Sequence, residues 1–180
     1  LINTAGLLQA QAQQTGEETT SEVSDIVQIG KVVGYEPNSQ NRFTNQQLNN
    51  NGLNETLTHM NVSMRLASGA NPINLSQASY TLATNGNASI VNGNNIVGDD
   101  AGSQRIEFFR KQGFEDQESK TLKDQEDLMV VKFNLSNISG INPLEEATKM
   151  TFVVQAPSGG QTYKQLKSPR NIDKGESFIL

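Results

Sequence analysis

The segment LTHMNVSMRLAS, from Leu57 to Ser68, limits the fold more than any other stretch of this chain. Thr58, Met60, Val62, Met64 and Leu66 fall on one side of an extended strand. His59, Asn61, Ser63 and Arg65 fall on the other. A period of two with one apolar and one polar face belongs to an antiparallel sheet that covers a core on one side only. The period recurs along the chain. DIVQIGKVVGYE, ASYTLAT, ASIV, QRIEFFRK, DLMVVKFNLSN, KMTFVVQA, QTYKQLK and ESFIL all read as short strands, and Gly, Asn, Pro and Asp punctuate them. DLMVVKFNLSN is the most apolar and is expected inside a sheet rather than at its edge. The Asn- and Gln-rich stretch from Pro37 to Gly52 reads as a surface loop. The expected fold is mainly β, an Ig-like antiparallel β-sandwich or barrel of about eight strands, with a short N-terminal helix remnant.

That remnant is the first 24 residues, where the pattern differs. LINTAGLLQAQAQQTGEETTSEVS is rich in Ala, Gln, Leu and Glu and has no proline. Leu1, Ala5, Leu8 and Ala12 follow helical spacing, yet no Ser, Asp or Asn stands before them to start a helix. The expectation is the C-terminal end of a longer apolar helix over residues 1–24, followed by a β domain over residues 25–180.

Catalytic chemistry has little to work with. The chain has no cysteine, so disulfides, thiolate metal sites and cysteine nucleophiles are excluded, and an ordinary triad would have to use its one histidine. The single His59 falls on the polar side of its strand and reads as a solvated surface histidine. Phosphate loops, dinucleotide fingerprints, HExxH and GxSxG are all missing. The formal net charge of −5 disfavours nucleic acid and anionic lipid as partners. The reading is a non-enzymatic structural protein.

Two features invite a ligand or a modification. Glu115-Asp116-Gln117-Glu118-Ser119 is an acidic loop run, and Asp124, Glu126 and Asp127 form a second one. Carboxylates interleaved with amide and hydroxyl oxygens suit Ca²⁺, which takes six to eight oxygen ligands. A solvated acidic loop accounts for the same residues. Six N-x-S/T sequons occur, at Asn54, Asn61, Asn74, Asn87, Asn134 and Asn137. They are candidate glycosylation sites if the protein is exported. The composition agrees with export, since 20 Asn and 28 Ser plus Thr outnumber 14 Lys plus Arg.

The run from Leu1 to Gln9, LINTAGLLQ, and the run from Thr15 to Ser24, TGEETTSEVS, together resemble the archaeal flagellins, or archaellins. In that family an LINTAG-like run closes a long apolar helix and a TGEEST-SEVS-like run leads into the first strand. Ala70–Ala78 resembles the family's PIDLS phrase. Asp127–Val131 resembles its GDLV strand entry, with Glu126 where the family has Gly. Ala156–Gly160 and Ser168-Pro169 are similar to its late turns.

The resemblance implies a precursor cut by a prepilin-type peptidase, with membrane contact only at that stage, through an apolar helix most of which is expected to lie outside this sequence. It implies an extracellular motility filament built from copies of this chain and related archaellins. Leu1, Ile2, Leu7 and Leu8 would be what remains of the helical interface. It also implies an outward β head that is glycosylated in many members and holds a metal in some. Glu115 to Ser119 resembles the family's QDEDxS phrase, which raises the Ca²⁺ expectation for Asp116 and Glu118. No cofactor is required. Other readings of the same residues are an exported β-sandwich adhesin and a type IV pilin-like surface subunit.

Overall fold

The computed structural model describes residues 25–37, 53–94, 104–116 and 118–180. The residues expected to form the helix end, including Leu1, Ile2, Leu7 and Leu8, lie outside the described residues, as does most of the Asn-rich loop. Among the described residues the elements in chain order are β1 (Val27–Tyr35), β2 (His59–Leu66), β3 (Ile73–Asn74), β4 (Ser79–Thr84), β5 (Asn87–Asn92), β6 (Ile106–Gln112), β7 (Thr121–Leu122) and β8 (Leu128–Asn134). A single 3-10 turn (Leu135–Asn137) follows, then β9 (Lys149–Gln155), β10 (Gln161–Lys167) and β11 (Ser177–Ile179).

Every strand pair is antiparallel. A five-stranded sheet has the order β11-β1-β2-β8-β6 and a four-stranded sheet the order β10-β9-β4-β5, while β3 and β7 form a two-residue ribbon. The strand expected to be interior, β8, lies between β2 and β6.

The alternation read in the sequence becomes the core. Met60, Val62, Met64 and Leu66 of β2 are buried, as are Met129, Val131 and Phe133 of β8. From the four-stranded sheet, Tyr80, Leu82, Phe152 and Val154 meet them. Phe133 stands edge-on to both Tyr80 and Phe152, with ring centroids 5.2 Å apart in each case. These three rings join the two sheets, and aromatic pairs in this geometry add about 0.5–1.5 kcal/mol each beyond burial.

Turns follow the expected chemistry. Asn85-Gly86 closes the β4–β5 hairpin, with Gly86 at φ 95°, a value that a residue with a Cβ rarely adopts. Ser158-Gly159-Gly160 closes β9 onto β10, where the Ala156 amide donates to the Gly160 carbonyl at 2.8 Å. The strand count exceeds eight chiefly because β3 and β7, two residues each, are too short to show a period.

Candidate functional site

The outer face of the five-stranded sheet carries His59 and two sequon residues. Tyr35, His59 and Asn134 are cross-strand partners, as are Val33, Asn61 and Lys132. The Tyr35 hydroxyl donates to Asn61 Oδ1 at 3.3 Å, and the Tyr35 and His59 rings lie 5.6 Å apart. Lys132 pairs with Glu107 at 3.0 Å. His59 therefore differs from the solvated residue expected. It is half-buried, its Nδ1 lies 2.9 Å from Thr58 Oγ1, and its pKa is pushed down to about 4. Burial is the main cause; Lys132 adds to it and Glu107 opposes it. This imidazole has the Thr58 hydroxyl as its hydrogen-bonding neighbour and packs against the Tyr35 ring on the sheet face.

The six sequons fall into different surroundings. Asn87 is exposed at the start of β5, beside the hairpin turn. Asn54 is also exposed, and its backbone amide donates to both carboxylate oxygens of Glu36, at 3.1 and 3.0 Å. Asn61 and Asn134 are half-buried, and the Asn134 side-chain oxygen is shielded from solvent. Asn137 donates to the Gln104 carbonyl at 3.4 Å. Asn74 Oδ1 accepts from both the amide and the hydroxyl of Ser76, at 3.0 and 2.7 Å. The Ser76 hydroxyl that completes this sequon is thereby turned inward onto its own asparagine.

In the acidic loop, Asp116 Oδ1 accepts the Glu118 amide at 2.9 Å, which folds the run into a tight turn. Asp116, Asp124 and Asp127 line a cleft of about 150 Å³ together with Glu115, Ser119 and Lys123; Glu118 lies outside it. Among the described residues no three His, Asp or Glu side chains come together as a metal-holding group.

Asp127 has a different part. It is buried, and its Oδ2 accepts the amides of Lys123 and Asp124 at 2.7 and 3.1 Å. Asp25 does the same ahead of β1, its Oδ1 accepting the backbone and side-chain nitrogens of Asn71 at 2.9 and 3.0 Å. Reading by charge clusters grouped Asp127 with its neighbours and missed this; the available signal was its place directly before an apolar strand.

Comparison with known proteins gives one consistent result. A family model described as archaeal-type flagellin matches residues 1–165. Flagellin B1 of Natrialba magadii is 25% identical over 185 residues, covering 99% of this chain and 82% of that protein. Flagellin B2 of Halobacterium salinarum is 24% identical, covering 100% of this chain and 82% of that protein. Among solved structures, the crystal structure of archaeal flagellin FlaB1 from Methanocaldococcus jannaschii aligns with a TM-score of 0.62 at 13% identity, over 85% of this chain and 94% of that one. A chain of the archaeal flagellum of Methanospirillum hungatei aligns with a TM-score of 0.58 at 9% identity, over 99% of this chain and 85% of that one. The two structural likenesses bear on the fold.

Proposed function

The chain belongs to the archaeal-type flagellin family, and from that membership we propose how its parts serve an extracellular filament. The protein is a structural subunit of the archaeal motility filament. The observation that carries this is the family match over residues 1–165, which takes in both the helix-like start and most of the β domain. The adhesin and pilin-like readings draw no comparable support.

Assembly, not turnover, is the proposed activity. Residues 1–24 act as the end of a polymerisation helix and residues 25–180 as the outward head. Leu1, Ile2, Leu7 and Leu8 bury apolar surface against neighbouring helices, a non-directional force suited to a core bundle. A contact that joins two different patches on successive copies does not close on itself and so grows an open helical polymer. The many Asn, Ser and Thr side chains and the net charge of −5 keep the outside of such a polymer wet. Glycans on exposed sequons, Asn87 and Asn54 first, extend that surface.

Ca²⁺ at Asp116 and Glu118 stays a separate proposal. Its support is the acidic run and the cleft beside it; exposed loop carboxylates of this kind are expected to bind weakly, with a Kd of about 1 mM. Titration calorimetry with CaCl₂ tests it, and the absence of heat at ten times that concentration ends it.

The filament reading is tested in cells. Deleting the gene is expected to abolish or shorten surface filaments and impair swimming, and antibodies to this chain are expected to decorate filaments in electron micrographs. Undecorated filaments together with unchanged swimming would overturn it.

A further inference from the structure

The four-stranded sheet turns one face to the core and the other outward. Its register sets Tyr163, Val153, Thr81 and Ile90 in one row straight across β10, β9, β4 and β5. The row ends in two of the most exposed large apolar side chains among the described residues, Tyr163 at 71% and Ile90 at 69%. One flanking row holds Gln, Thr and two Ala; the other holds two Gln, a Ser and an Asn. None of these twelve positions carries a charge; Lys149 and Lys167 stand just beyond one end.

The six sequons avoid the same face. Asn61 and Asn134 project from the outer face of the other sheet, and Asn54, Asn74 and Asn137 lie off the four-stranded sheet. Asn87 is on β5, but it shares the side of Val91, which is buried, and so turns away from Ile90. The opposite sheet face also bears charge, in Arg65, Lys132 and Glu107.

We propose that this bare face docks on a second copy of this chain, as a lateral head-to-head contact inside the filament. The proposal rests on the filament reading above. Copies with a net charge of −5 repel wherever their charged surfaces meet, so close approach favours a face that carries none. A contact between copies also leaves no room for glycans, and this face carries none of the six sequons.

Size points to the same partner. Four strands spaced about 4.8 Å apart and three rows about 6.8 Å apart span roughly 400 Å². A stable pair in solution buries about 800 Å² on each partner. The face is too small to hold a soluble dimer. It suits neighbours already held side by side by another element, where the effective concentration is high.

The test uses the full-length subunit, restored to a strain of its own organism from which the gene has been deleted. The double variant Ile90→Lys/Tyr163→Lys is expected to be exported at the wild-type level and to give short filaments or none. The control Ile179→Lys, equally exposed on the other sheet at 72%, is expected to leave filaments unchanged. Double-variant filaments with wild-type length and dissociation temperature would overturn the proposal, and so would an equal loss from Ile179→Lys. A second measurement covers a failure to fold. The chain has no cysteine, so Ile90→Cys offers a single thiol. It is expected to resist maleimide in intact filaments and to react after dissociation; equal labelling in both states overturns the contact. Failure of the filament reading itself would be seen in the wild type alone, as absence of the chain from filaments.

Discussion

The Tyr80 hydroxyl donates to the Leu75 carbonyl across 2.7 Å, with both residues sealed from solvent. The bond spans the five residues that carry the chain from the short ribbon into the four-stranded sheet. Burial pushes the ionisation of Tyr80 far above the usual tyrosine value, so the phenol remains a donor at any pH the fold survives.

Tyr80→Phe keeps the ring against Phe133 and Phe152 and removes only the donor. It leaves the buried Leu75 oxygen without that hydrogen bond. The expected loss is about 1–3 kcal/mol, read as a fall in Tm of several degrees. An unchanged melting temperature would show that the bond is dispensable.

His59 predicts a pH signature. Its folded pKa is depressed, to about 4 from 6.5, so between those values the unfolded chain binds the extra proton. Stability from this group is therefore present above pH 6.5 and is lost as pH falls from 6.5 toward 4. Allowing for the part of the ring that stays wet, the expected effect is about 1–2 kcal/mol. His59→Gln should flatten the stability curve over that window relative to wild type; parallel urea-denaturation curves at pH 7 and pH 4.5 would refute the assignment.

Asp127→Ala strips the acceptor from two backbone amides under the β7–β8 turn. A loss of about 2–4 kcal/mol is expected. Asp116→Ala, in an exposed turn, should cost far less. Chemical denaturation of the two variants orders them, and the reverse order would mean that the exposed run organises this loop.

Sequon occupancy should follow geometry. In protein recovered from the cell surface, mass spectrometry should find glycan at Asn87 and Asn54 and none at Asn74, whose side chain holds the Ser76 hydroxyl. A modified Asn74 would mean that the sugar is added before this turn closes.

Much of this fold can be read from the residues because period and burial coincide. Met60 through Leu66 and Met129 through Phe133 alternate in the sequence and alternate in the core. Ile73 and Leu122 escape such reading, since a two-residue pairing has no period and depends on a partner 49 positions away. The row from Tyr163 to Ile90 is hidden for a related reason. It exists only once the order β10-β9-β4-β5 is known, and nothing local encodes that order. Asp116 and Asp127 look alike as letters; only burial separates a solvated turn carboxylate from one that ties two amides. His59 misled because a polar-face position was equated with water, whereas Tyr35 and the Lys132–Glu107 pair crowd that face.

The place of β1 has a mechanical consequence. It enters the sheet directly after residues 1–24 and is flanked by β2 on one side and β11 on the other, with the Leu180 amide bonded to the Val32 carbonyl at 3.0 Å. Tension arriving from the preceding segment runs along the axis of β1. It loads the hydrogen bonds to both neighbours in shear, so they must yield together, not one after another as in unzipping. A subunit pulled through this segment is thus held by two rows of hydrogen bonds at once.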